Sequence, residues 1–236
     1  MQRGRSVSAA GLGCPPDFFF FPNGEGRGQD SLYWHPARIA CVSDRWLIAG
    51  LGNPGSEYAH NRHNVGYWCI NRLARLHGIN LKAKTLAAFG EGRIGATPVV
   101  LLKPRTYVNK SGAAVVPAIR RFKIDPQHLL VIHDELDLPA GRIRIRAEGG
   151  DGGYKGLKSI IASLGSRDFP RVRIGIGRPH VEGEPSWEPE VVGDYVLGDP
   201  GGQQARTLQD AVSRAAQAVE LMLAEGVEAA MNRYNS

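Results

Sequence analysis

The chain has 236 residues, with 29 Lys and Arg against 23 Asp and Glu, for a formal net charge of +6. At 42% hydrophobic residues the composition is that of an ordinary globular protein, which excludes wholesale disorder, and no apolar run reaches the ~18 residues of a membrane-spanning helix. Three cysteines (Cys14, Cys41 and Cys69) with no CxxC pair argue against a disulfide framework and against a cysteine-ligated structural zinc, and suit a reducing compartment.

Residues 1–44 differ from the rest. They hold Gly, Pro and Ser, a Phe18–Phe21 block and neither a 2- nor a 3.6-residue period. Their four basic groups (Arg3, Arg5, Arg27, Arg38) cancel four acidic ones (Asp17, Glu25, Asp30, Asp44). The apolar block is too short and too late for a secretory signal. Arg3, Arg5 and Ser6 give a weak likeness to a transit peptide, and the favoured expectation is a disordered extension or a start placed too far upstream. The charge surplus therefore lies in residues 45–236, where it suits an anionic partner such as nucleic acid as well as plain solubility.

From Arg45 the pattern alternates. Trp46–Ala49 reads as a buried strand ending in GLGNPG. Val65, Cys69, Leu73 and Leu76 fall at helical spacing, predicting a helix over about 62–77 that stops at Gly78. Arg93–Ile94 and Val99–Leu102 read as strands about a short turn. A helix is expected near 111–122, with Ser111 as N-cap, Val115, Ile119 and Phe122 inward, and Pro117 imposing a kink or a late start. Leu129–Ile132 reads as a buried strand ending at His133-Asp134. Arg142–Arg146 alternates Arg and Ile as a period-2 strand, its three arginines on one face. Lys155–Leu164 reads as a helix, Arg171–Ile176 as a strand and 202–225 as a long helix. The expected class is α/β: a single domain over 45–236, with a twisted, mixed but largely parallel central sheet flanked by helices.

Gly50-Leu51-Gly52-Asn53-Pro54-Gly55 fits the GxGxxG dinucleotide fingerprint, but its context fails. Residues 70–84 hold no Asp or Glu to bind a ribose, and Pro54 fixes φ where a helix should open. The P-loop, GxSxG and HExxH patterns are missing, and Cys69 lies on the apolar face of its helix, as a core residue would. What remains is polar residues at strand ends and helix starts: Asn53, His63, Asn109 and Asp134. In an open α/β sheet the carboxyl ends of parallel strands share one crevice, so these four would meet if their strands are neighbours. A His backed by an Asp makes a general base for water, and amides can donate to a developing oxyanion. Each residue taken singly is also compatible with a turn, a cap or a solvated side chain.

GLGNPGSEYAHNRHNVG (50–66), PRTYVNKSG (104–112), HDELDLPAG (133–141), GGDGGYKGLKSI (149–160) and RVRIGIGRP (171–179) resemble, in order and spacing, the signature blocks of bacterial-type peptidyl-tRNA hydrolase. The likeness spans about 45–235. It implies a monomeric, cytoplasmic α/β enzyme without metal or cofactor and without a membrane partner. Such an enzyme cleaves the ester joining a peptide to the 3′ end of tRNA, recycling peptidyl-tRNA released from ribosomes, with no covalent intermediate. On this resemblance His63 is the catalytic base, Asp134 the carboxylate that keeps it basic, and Asn53 the amide that separates blocked from free aminoacyl ends. Tyr58, Tyr107 and Asn109 match positions lining the peptide and 3′-end cleft, with Asn64 beside them as a further substrate-side candidate. Arg146 and Arg173 match positions that hold tRNA phosphate.

One block departs from the family pattern. GGHNGL is usual where this chain reads Gly-Gly-Tyr154-Lys155-Gly-Leu. Lys155 thus stands for an Asn expected to contact substrate and order water. It is a cation without an acceptor, able to lower the pKa of His63 or to grip phosphate or ribose. The departure and the long amino terminus leave a second reading open, an RNA-binding relative without hydrolysis, of the kind found among intron-splicing proteins.

Overall fold

In the computed structural model of the protein, residues 44–235 are described, so the expectation of a disordered extension over 1–44 lies outside them but for Asp44. Apolar runs form the middle of the sheet, where both faces are covered. These are β1 (Trp46–Gly50), β4 (Thr97–Pro104), β5 (Leu129–Glu135) and β7 (Arg171–Gly175), neighbours in the order β4-β1-β5-β7 and all parallel. In the last of these strands Arg171 and Arg173 alternate with Val172 and Ile174. Antiparallel strands finish both edges. β3 (Ala87–Ile94) pairs with β4 and carries β2 (Lys82–Ala83) outside it, while β6 (Ile143–Arg146) pairs with β7. A separate two-stranded ribbon joins β8 (His180–Val181) to β9 (Glu184–Pro185).

Each face of the sheet has its own core. Ile48, Leu101, Leu130, Ile132 and Val172 pack under α1 (Val65–Leu76), α5 (Gly202–Glu225) and α6 (Val227–Tyr234). Leu47, Ala49, Val100, Leu102 and Leu129 pack under α2 (Gly112–Phe122) and α3 (Lys155–Leu164). Gly78 has φ +63 after α1, and Ile79 N–H donates to Ala74 O at 2.9 Å, closing the helix as the sequence predicts. The helix itself starts at Val65, because Arg62–Asn64 form a separate 3-10 turn.

Three local expectations change. Ser111 does not cap α2: its hydroxyl donates to Val108 O at 2.7 Å, closing the Val108–Lys110 turn that leads in. Pro117 does not delay α2, which begins five residues earlier. Pro117 and Ala113, whose carbonyl it leaves without a helical donor, are both exposed, so water can serve that oxygen. Arg142 precedes β6, so only Arg144 and Arg146 alternate with the buried Ile143 and Ile145. The remaining helix, α4 (Pro189–Leu197), has no fully buried residue; Tyr195 and Val196 pack against the edge of the first core, and the helix forms a wall of the site. Among the described residues no helix is long and apolar enough to cross a membrane.

Candidate active site

β1 and β5 are adjacent and parallel, so the loop after Gly50 and the last residues of β5 emerge side by side. α1 crosses directly over this junction. A Cβ on Gly66, in its first turn, would stand 2.5 Å from Leu51 O and 2.6 Å from Ile132 O, and Gly50 lies equally close to the Gly66 backbone. The glycines that mimic a dinucleotide fingerprint thus serve a close helix–sheet approach. That approach sets the turn ahead of α1, and with it His63, above the end of β5.

The turn is anchored at its other side by Arg62. Its guanidinium donates to Tyr195 O, Gly198 O and Gln204 Oε1 at 2.9–3.0 Å and stacks over the Tyr195 ring. With its neighbour held, His63 directs Nδ1 at Asp134, 3.0 Å from Oδ1 and 2.9 Å from Oδ2. A carboxylate only accepts, so Nδ1 carries the proton and the neutral ring keeps its lone pair on Nε2. His63 and Asp134 both line a cavity of about 500 Å³, closed on one side by Val192, Val196 and Leu197 of α4.

Burial acts on both partners, and their mutual attraction overcomes it. For His63 desolvation favours the neutral ring, but the Asp134 charge and hydrogen bond together raise its pKa above the ordinary 6.5. For Asp134 desolvation again opposes charge, yet His63, then the Tyr154 hydroxyl and His133, hold its carboxyl below the usual range. His133 projects to the opposite face of β5. Its Nδ1–H donates to Asp134 O at 2.7 Å, and burial keeps the ring neutral.

Asn53 and Asn64 form a rigid pair. Asn64 Oδ1 accepts from Asn53 N–H at 2.8 Å, and its Nδ2 donates to Asn53 O and Tyr58 O. Asn53 Oδ1 in turn accepts from Val108 N–H at 2.9 Å. This fixes the orientation of the Asn53 amide, whose NH2 has no acceptor among the described residues, at the edge of the His63 cavity. Asn64 is therefore a buried brace, and with Asn53 it also lines an adjoining cavity.

Not every predicted residue joins the cavity. Lys155 does, exposed at the first turn of α3. Asn109 is exposed on the turn before α2 and is not among the cavity walls, so the four-residue convergence expected from the strands reduces to three. Tyr107 is 58% exposed, and Tyr58, half-buried, contributes its carbonyl to Asn64; neither ring lines the cavity. Arg146 and Arg173 line a neighbouring cavity of about 370 Å³ over β5, β7 and β6, together with His133, Arg171 and the acidic Glu135, Glu148 and Asp151. Arg173 is ion-paired there to Glu135 at 2.6 Å, while Arg171 is tied by its guanidinium to the carbonyls of Gly149 and Gly150. Cys69 is buried, as expected of a core residue, with burial pushing its thiol up to about 12. Among the described residues no three His, Cys, Asp or Glu side chains are placed to share a metal ion.

Two participants escape sequence reasoning: Tyr154, which bonds to Asp134, and α4. The signal for α4 is faint, because a helix facing a cavity and solvent carries no strong apolar stripe.

Comparison with known proteins gives one consistent result. The family profile described as peptidyl-tRNA hydrolase matches residues 47–236. A peptidyl-tRNA hydrolase of Symbiobacterium thermophilum is 49% identical over 193 residues, covering 80% of this chain and 98% of the relative. One of Syntrophomonas wolfei is 46% identical over 190 residues, covering 80% and 99%. The crystal structure of peptidyl-tRNA hydrolase from Acinetobacter baumannii superposes with a TM-score of 0.75 at 40% identity, covering 83% of this chain and 96% of that one.

Proposed function

The chain belongs to the peptidyl-tRNA hydrolase family and hydrolyses peptidyl-tRNA, and from that premise we propose that a water activated by His63, with Asp134 behind it, attacks the ester. The observation that carries this reading is the Nδ1–Asp134 hydrogen bond, which leaves the Nε2 lone pair on a ring that borders the cavity. Nε2 takes a proton from water as the oxygen adds to the ester carbonyl carbon. The tetrahedral intermediate then collapses, the C–O bond to the ribose breaks, and the departing oxygen takes the proton back from the imidazolium. The products are a peptide carboxylic acid, which releases its proton to solvent as the carboxylate, and a tRNA with a free terminal hydroxyl. No Ser, Thr or Cys is among the described residues that line the cavity, in keeping with water rather than a side chain as nucleophile.

Asn53, its carbonyl oxygen engaged by Val108, has only donors left for the substrate, and we assign it to the acyl end. Arg146 and the Arg173–Glu135 pair are assigned to tRNA phosphate, with the modest salt dependence that follows. Monomeric action in the cytoplasm, without a metal, completes the reading. Family membership and the His63–Asp134 pair together do not favour an RNA-binding relative without hydrolysis.

The test is release of an N-acetylated amino acid from tRNA. Wild type should turn over, and His63→Ala should lose about 10²–10⁴-fold in kcat with tRNA binding retained. Normal binding with no release by the wild type would remove the enzyme reading.

A further inference from the structure

Asp134 Oδ1 accepts two hydrogen bonds. One comes from His63 and the other, the shorter at 2.6 Å, from the Tyr154 hydroxyl. Tyr154 is the residue before α3, with extended backbone at φ −75 and ψ 112, so its side chain turns back from the helix toward the sheet. Its ring lies 4.6 Å from the His133 ring and 5.7 Å from the His63 ring, which holds it between the two histidines. A Cβ on Gly156 would press on the Tyr154 ring at 2.7 Å, so this nearby glycine keeps the space the orientation needs.

The two donors share the charge of the carboxylate. A hydroxyl that takes part of the Asp134 charge leaves less to stabilise a protonated His63. The hydroxyl itself does not titrate near neutrality: burial first, then the Asp134 charge and hydrogen bond, push the phenol well above 10. It is a neutral donor throughout the working range, whereas a histidine at this position can itself take up a proton there.

Resting on the hydrolase reading above, we propose that Tyr154 is a positioning residue for the reaction: its hydroxyl fixes the Asp134 carboxylate against His63 and tempers it, so that more of His63 is the free base at neutral pH. The groups that face the pair are few. His133 and Glu135 approach from β5, Arg173 from β7 through its bond to Glu135, and Tyr67 from α1. Lys155, Asp137 and Arg178 border the cavity on the His63 side. His133 is held neutral by burial, so the group whose charge changes above pH 6.5 is His63.

The experiment is Tyr154→Phe, which removes one oxygen and keeps the ring. Without the donor, Asp134 holds the imidazolium more tightly, so the His63 pKa should rise by about 0.5–1 unit. The acid limb of kcat/KM against pH should move up by the same amount, giving about a three- to tenfold loss at pH 6 that shrinks as pH rises. An acid limb that stays in place, or moves down, overturns the proposal and leaves Tyr154 as packing. The His63 titration followed by imidazole NMR, assigned with His63→Ala, reads the same shift without turnover. It decides the role of Tyr154 even if the wild type releases nothing, an outcome that would instead strike the hydrolase reading.

Discussion

At the scale of residues, one buried carboxylate organises the chemistry. Asp134 makes His63 basic, selects its tautomer and is itself steadied by a phenol. The sign of the pH dependence follows. As the proposed base, His63 must be neutral to work, and its pKa lies above 6.5, so activity is expected to rise with pH through that raised value. Asp134→Asn removes the charge that opposes desolvation, so the limb should move below 6.5. The amide can also turn its NH2 toward Nδ1 and favour the wrong tautomer. The expected outcome is a kcat lower by about 10²–10⁴-fold with the limb displaced to acid, read from release rates across pH 5–9. A variant as fast as wild type at pH 8 would show that His63 needs no carboxylate.

At the scale of elements, the site depends on a helix seated unusually close to the sheet. Gly66 in α1 faces the backbone of Leu51 and Ile132, and no flexible side-chain tip is available to give way. Gly66→Ala should therefore push α1 off β1 and β5. The expected cost is about 1–3 kcal/mol, or a thermal midpoint lower by about 2–10 °C, measured by calorimetry. Release should fall as well, because His63 rides on the same turn; a variant with wild-type melting would show that the approach is not tight. Much of this element plan is legible in the sequence. Lys155–Leu164 and 202–225 stand where periodicity puts them, because each buries a regular stripe against the sheet. β3 is harder to read. It runs from Ala87, but Gly90 and Gly92 interrupt its pattern because Ile79 and Asn80 lie against them, where a Cβ would stand 2.5–2.6 Å away. α4 and α6 are not legible, being short and, in α4, without a buried residue.

For the whole molecule, the charge of residues 45–236 acquires a direction. Arg144 and Arg146 alternate on β6, Arg171 and Arg173 stand beside them on β7, and the cavity that Arg146, Arg171 and Arg173 border adjoins the one that holds His63. Two of these four arginines are engaged by protein acceptors, which orders them but leaves Arg144 and Arg146 as the exposed cations. Arg146→Gln should weaken tRNA binding and reduce the slope of log affinity against log salt by about 1, while release at saturating substrate stays near wild type. Fluorescence titrations at several salt concentrations give the slope. An unchanged slope would remove Arg146 from the phosphate contacts.

The sequence by itself determined the class of fold and the order of the main elements, and it singled out His63 and Asp134, the pair proposed as base and carboxylate. Apolar periodicity is a local property, and five motif blocks in fixed order carry the family. Tertiary structure alone decided which polar residues share a cavity. Asn109, exposed, and Asn64, a buried brace, look alike along the chain, and only packing separates them. It also decided the role of Tyr154, which nineteen residues of intervening chain separate from Asp134 and which a 2.6 Å hydrogen bond joins to it. The physical reason is range. Periodicity and turn chemistry act between near neighbours, whereas a buried carboxylate takes its properties from whatever donors the fold brings within about 3 Å.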